Sequence, residues 1–143
     1  MSTVTNKLNQ ILANSNVMFT KLHNYHWNIK GMQFMPIHLK TEESYNYFSQ
    51  VYDDTAERVL QLGGSPLITL KQILEESKIE EDSNSVFDAT YVITNMVKDY
   101  ELFLKDFKEL SNIAEGDATT SAYADDQVSI LEKEIWILKS HIS

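Results

Sequence analysis

The chain has 143 residues, 43% of them hydrophobic, which is enough to bury one real core and suits a single domain over 1–143. Its 21 acidic against 12 basic residues leave a formal net charge of −9, which argues against nonspecific nucleic-acid binding, and the absence of cysteine excludes disulfides and thiolate zinc sites. No apolar run approaches the roughly eighteen residues of a membrane span, and the opening MSTVTNKLNQ lacks the layout of a secretory signal, so the expected location is cytoplasmic.

Only four glycines and two prolines punctuate the chain, which favours long helices. From about Thr3 to Lys30 apolar residues recur at Leu8, Ile11, Leu12, Met18, Phe19, Leu22, Tyr25 and Ile29, the three-and-four spacing of an amphipathic helix. Gly31 ends it and a turn continues to Met35. Pro36 can then sit in the first turn of the next helix, where its missing N–H costs nothing. The second helix, to Leu62, presents Tyr45, Phe48, Tyr52, Ala56, Val59 and Leu60 and stops at Gly63-Gly64-Ser65-Pro66. The connection from Pro66 to Asn84 is too long for a helix hairpin. It predicts a small helix over Leu67 to Leu74, followed by an acidic run from Glu75 to Asp82. The third long helix is expected to start at an N-cap on Ser85, to bury Ile93, Met96, Tyr100, Phe103, Phe107 and Leu110, and to stop at Gly116. The fourth carries Ala124, Val128, Leu131, Ile135, Leu138 and Ile142. The expected fold is all-α: a four-helix bundle with a long crossover carrying a short helix between helices two and three, which is the ferritin-like arrangement.

Chemistry concentrates between His23 and Arg58. This stretch holds three of the four histidines and the pair Asp53 and Glu57, one helical turn apart. Imidazole nitrogen and carboxylate oxygen without thiolate suit iron, manganese or zinc, and iron is the expected metal. His38 and Asp53 lie fifteen residues apart on one helix, about 22 Å at the helical rise, and point to roughly the same side. They share a face but cannot share an ion. Asp53 and Glu57 form one half-site, and His38, with His26 brought back by the turn, forms the other. Antiparallel two-fold pairing of the second helix with its copy would set His26 and His38 of one chain opposite Asp53 and Glu57 of the other, making two equivalent sites. Glu42, one turn after His38, is placed to contact metal directly or through water. His23 is left outside the core site. Because neutral imidazole and ionised carboxylate are the binding forms, metal affinity should fall on acidification. Reading back three residues from each histidine gives Thr20, His23, Met35 and Leu138, so the Glu-x-x-His motif of a di-iron site inside a bundle is absent.

The ordered set His26-Trp27-Asn28, Gly31, Phe34, His38, Asp53-x-x-Ala56-Glu57-Arg58 and Gln61-Leu62-Gly63-Gly64 resembles the signature of the Dps proteins, the mini-ferritins, and the likeness extends over nearly the whole chain to Trp136. The resemblance implies a homo-oligomeric shell of twelve four-helix subunits with dinuclear iron ferroxidase sites across two-fold interfaces. It also implies Fe(II) and hydrogen peroxide as substrates, a weakly held second iron position near Glu42, and ferric mineral stored inside as protection from oxidative stress. Trp27, beside His26, is either core or an oxidisable ring near the metal. Trp136 is expected to pack against the bundle. Asp54 is read as a solvated surface acid; Glu115, Asp117, Asp125 and Asp126 are read as capping or solvating the fourth helix, and the resemblance implies that acids from this region line iron entry pores near three-fold axes. The alternative functions are a nucleoid DNA-binding protein, disfavoured at neutral pH by the charge and by an N-terminal stretch that holds a single basic residue, Lys7, and a surface interaction protein with incidental iron binding.

Overall fold

The computed structural model describes residues 2–142, and among these every regular element is a helix. In chain order these are α1 (Thr3–Asn28), α2 (Phe34–Gln61), α3 (Leu70–Glu76), α4 (Ala89–Ile113) and α5 (Ala118–Ile142). α1 packs chiefly on α2 and α4 on α5, so two long hairpins face each other around one core, with the crossover and its helix α3 lying against α1. This is the expected all-α four-helix bundle with a long crossover. The core is built from the predicted stripes, with Leu8, Leu12, Met18, Phe48, Phe103 and Phe107 fully buried. At roughly 1.5–3 kcal/mol for each large side chain removed from water, this layer is the main source of stability. No helix among the described residues is long and apolar enough to cross a membrane.

Local chemistry sets the ends. Ser2 caps α1 by accepting from Thr5 N–H at 3.1 Å. α2 starts at Phe34, two residues before the expected Pro36, because Phe34 N–H closes a turn onto Gly31 C=O. Pro36 is then the third helical residue, where an N–H would have no intrahelical partner. At the other end Gly63 takes φ +81°, donating to Leu60 C=O while Gly64 N–H reaches Val59 C=O, a Schellman stop. Gly64 is also held to glycine by contact, since a Cβ there would come within 3.1 Å of both Thr5 and Val59.

Three further boundaries and one packing expectation are corrected. The small helix runs from Leu70 to Glu76 and not from Leu67, because Thr69 and Gln72 form a reciprocal capping box that fixes its start. α4 begins after Asp88, whose carboxylate accepts from Tyr91 N–H at 2.9 Å, so Ser85 is not the cap. α1 ends at Asn28, two residues early. Trp136 does not pack into the bundle: it is 67% exposed, one step round α5 from the buried Ile135. Asp117 does cap α5, accepting from Thr120 N–H while pairing with Arg58 at 2.9 Å.

The crossover, mostly irregular, needs partners for its backbone, and three asparagines on α1 supply them. Asn9 bonds Ser65 C=O and Leu67 N–H, Asn14 accepts from Lys78 N–H and Ser77 Oγ, and Asn24 donates to the carbonyls of Asp82 and Asn84. Asp82 completes the seam, accepting from Tyr25 Oη at 2.7 Å and Tyr91 Oη at 2.9 Å. Burial pushes the Asp82 carboxyl up, but the bonds from Tyr25, Asn84 N–H and Tyr91 outweigh it and hold the group below the usual carboxylate range. A depressed folded-state value contributes stability that is present above about pH 3.9, the unfolded value, and is lost as pH falls through the folded one. The protection of amides in residues 79–88, measured against their intrinsic exchange rates, should therefore fall on acidification below that point in the wild type, and in Asp82→Asn it should be low already at neutral pH. Equal protection in the two proteins at neutral pH would show that the carboxylate does not hold this seam.

Candidate metal centre

The two histidines meet where α1 hands over to α2. Ile29 to Gln33 turn the chain, with Gly31 at φ +104°, a value that favours glycine. The His26 and His38 rings then stack at 3.7 Å between centroids and 13° between planes. Each ring is locked by the other residue's backbone: His26 Nδ1 lies 2.7 Å from His38 C=O, and His38 Nδ1 lies 2.8 Å from His26 C=O. A carbonyl only accepts, so both Nδ1 atoms carry a proton, and in the neutral ring the lone pair is left on Nε2. Thr41 supports the arrangement from the next turn, its hydroxyl donating to Ile37 C=O with Oγ1 3.2 Å from His26 Nδ1. His26 is buried and Phe34 stacks on the outer side of His38 at 4.9 Å. Backbone carbonyls that fix the tautomer and aim of an imidazole are the usual support of a metal-binding histidine.

Asp53 and Glu57 occupy the far end of α2, both exposed. The negative charge of Asp53, followed by a hydrogen bond between the two carboxyls, raises the Glu57 carboxyl above its ordinary value. Two like charges at one point favour a proton or a cation between them. About 22 Å of helix separates this pair from His38, so the two halves stay apart within one chain. Among the described residues no three His, Asp or Glu side chains gather as a metal-holding group. Glu42 is exposed, one turn beyond His38. Met35, Leu39 and Leu60 fall on the same arc of α2, about 100° wide, as His38, Asp53 and Glu57, and all three are more than half exposed. Trp27 is 68% exposed, which excludes the core role within this chain, and its ring lies 5.3 Å from His23. Asp54 accepts from Gln50 at 2.8 Å and reaches the acid pair only through its charge, which adds a smaller push to Glu57.

Sequence reasoning passed over one support of this centre and left a second, His23, outside the core site. Tyr45 entered only as a stripe residue, yet its ring stacks on His23 at 3.9 Å and meets His26 edge-on at 5.3 Å. His23 in turn holds its own orientation through Nδ1 to Phe19 C=O at 2.7 Å. The His23-x-x-His26 spacing put both rings on one face of α1, but their partner comes from α2 and leaves no local signal.

A long-crossover bundle with histidines at one end of its second helix and paired acids at the other defines a ferritin-like protein. The ferritin-like domain family model matches residues 5–143. The DNA protection during starvation protein of Helicobacter pylori is 42% identical over 138 residues, covering 95% of this chain and 96% of that protein. The crystal structure of Helicobacter cinaedi CAIP superposes with a TM-score of 0.96 at 48% identity, covering 98% of this chain and 99% of that one. The Dps protein of Vibrio cholerae O1, described as a member of a broad superfamily of ferritin-like diiron-carboxylate proteins, matches with a TM-score of 0.93 at 31% identity, covering 98% and 89%. The chain belongs to the Dps family.

Proposed function

We propose that this protein is a ferroxidase and iron-storage mini-ferritin whose sites are completed by a second copy of the chain. The carrying observation is the reciprocal locking of His26 and His38, which leaves two Nε2 donors a helix length away from the Asp53 and Glu57 pair on the same face. In an antiparallel two-fold pair the histidines of one chain face the acids of the other, and the exposed Met35, Leu39 and Leu60 become the apolar contact around them. His26 and His38 hold one Fe(II), Asp53 and Glu57 anchor or bridge it, and Glu42 lies near a more weakly held second ion. The donor set fits Fe(II), which is the substrate here and not a resident group. Hydrogen peroxide takes one electron from each of two Fe(II) ions, and the Fe(III) hydrolyses and collects as mineral in a shell of twelve chains. Removing both reactants together protects the cell from hydroxyl radicals, and the working location is the cytoplasm.

The test is anaerobic Fe(II) titration of the purified protein followed by hydrogen peroxide, with ferric absorbance recorded beside an Asp53→Ala/Glu57→Ala variant. Fast peroxide-dependent oxidation in the wild type and its loss in the variant are expected. Equal, slow oxidation in both would sink the reading.

The name carried by the Helicobacter pylori relative raises a second reading, direct binding to DNA. Charge opposes it, and Lys7 is already engaged, 2.9 Å from Asp106 and 2.5 Å from Glu109. Protection of DNA would then run through removal of iron and peroxide. The protein should leave the mobility of linear duplex DNA unchanged at neutral pH and physiological salt; retardation that disappears as salt rises would restore the binding reading.

A further inference from the structure

The acid end of α2 is tied to α5 through Arg58, whose guanidinium reaches three oxygens. Nε donates to Thr120 Oγ1 at 2.8 Å, Nη2 to Asp117 Oδ1 at 2.9 Å and Nη1 to Gln61 Oε1 at 3.0 Å. Thr120 is fully buried and completes the knot, its hydroxyl donating to Asp117 Oδ2 at 2.6 Å. Two other polar ties join the same helices, Tyr47 to Gln127 and Lys40 to Glu134, and both fall in the first half of α2. Successive helix residues point about 100° apart, so with Arg58 drawn onto α5 the Glu57 carboxyl is turned about 100°, and the Asp53 carboxyl about 140°, away from Arg58. The tie therefore fixes how far the last turns of α2 are rotated about their axis. These turns need fixing, because the two acids repel each other and Glu57 lies close to the C-terminal end of α2, where the helix dipole is negative. Arg58 supplies the tie without presenting a bare cation. Hydrogen bonds from Thr120, together with the Arg58 charge, hold the Asp117 carboxyl below the usual carboxylate range, so the guanidinium faces an anion.

We propose that Arg58 is a positioning residue for Asp53 and Glu57, an inference that rests on the ferroxidase reading above. Through Thr120 and Asp117 it holds the two carboxylates at the angle at which they meet Fe(II), and Asp117 balances the positive charge that would otherwise oppose the arriving metal. Lysine cannot take the place: it carries the same charge on a single ammonium, without the planar fork that spans three oxygens.

The experiment follows ferric absorbance in the assembled full chain mixed with hydrogen peroxide over a range of Fe(II) concentrations, for wild type, Arg58→Lys and Asp117→Asn. Arg58→Lys should raise KM for Fe(II) about 10-fold, the lower end of what losing the support of a metal ligand costs, with kcat close to the wild-type value. Asp117→Asn keeps an acceptor oxygen for the guanidinium but not the charge, and should raise KM by less. Anaerobic Fe(II) titration supplies the readout that a general structural role would fail: adding Arg58→Lys to Asp53→Ala/Glu57→Ala should leave the residual affinity of the histidine half-site unchanged. A wild-type KM in Arg58→Lys, or in Asp117→Asn should Arg58→Lys fail to assemble, would overturn the assignment, as would a further loss of affinity in the triple variant. Wild-type oxidation that saturates with Fe(II) beside an unaffected Arg58→Lys defeats this inference alone, whereas absence of peroxide-dependent oxidation in the wild type defeats the ferroxidase reading with it.

Discussion

Neither His26→Ala/His38→Ala nor Asp53→Ala/Glu57→Ala should oxidise Fe(II) with peroxide when purified alone, but co-assembly of the two should restore activity. A two-fold pair made of one chain of each kind has one site lacking all four ligands and one site retaining all four. Random mixing makes half of the pairs mixed, so about a quarter of the sites recover. Each homogeneous variant loses both ligands of one half-site, and its affinity for Fe(II) should drop by more than about 100-fold, the upper end of what loss of a mere supporting partner costs. The measurement is ferric absorbance after unfolding and refolding the variants together. If the mixture stays as inactive as its components while native assemblies form, each site belongs to one chain, contrary to the separation of the two pairs along α2.

The second large effect concerns stability. Lys21 on α1 and Asp99 on α4 are both buried, with Nζ and Oδ2 2.7 Å apart, and among the described residues they are the one ion pair between the two hairpins in which both partners are buried. Lys21→Met should cost about 3–5 kcal/mol, because it strands a carboxylate in the core, whereas Lys21→Met/Asp99→Leu should recover most of that loss. The pH dependence follows from Asp99. Burial pushes its carboxyl above the ordinary value, and Lys21 offsets only part of this. A raised folded-state value means the favourable contribution is complete below about pH 3.9 and fades as pH rises through the folded value. Removing Lys21 widens that fade, so the deficit of the variant should be largest at neutral pH and shrink towards acid. Urea unfolding of the three proteins at several pH values reads this directly. A single variant as stable as wild type at pH 7 would show that the pair is silent.

The architecture was legible where local chemistry decides it. Amphipathic stripes and the Gly63-Gly64-Ser65-Pro66 breaker specify element order because helix period and backbone freedom act within a few residues. Boundaries slipped where one side-chain cap competes with another: Asp88 outbid Ser85, and Thr69 with Gln72 outbid the apolar run beginning at Leu67. Trp136 slipped because a stripe one step wide cannot separate Ile135 from its neighbour. In the candidate centre, the separation of His38 from Asp53 is a matter of helix rise and could be read from spacing. The crossed Nδ1 bonds, the Tyr45 stack and the asparagine seam could not, since each needs a partner from another element.

The crossed bonds between His26 and His38 also relieve the segment they enclose. Both ends of the α1 to α2 connection are clasped from outside it, and apart from the glycine conformation at Gly31 and the buried Ile29 the intervening positions carry little structural duty, with Met32 fully exposed. Substitution of Met32 should therefore leave the two helices fastened, and urea unfolding of a Met32 variant should match that of the wild type.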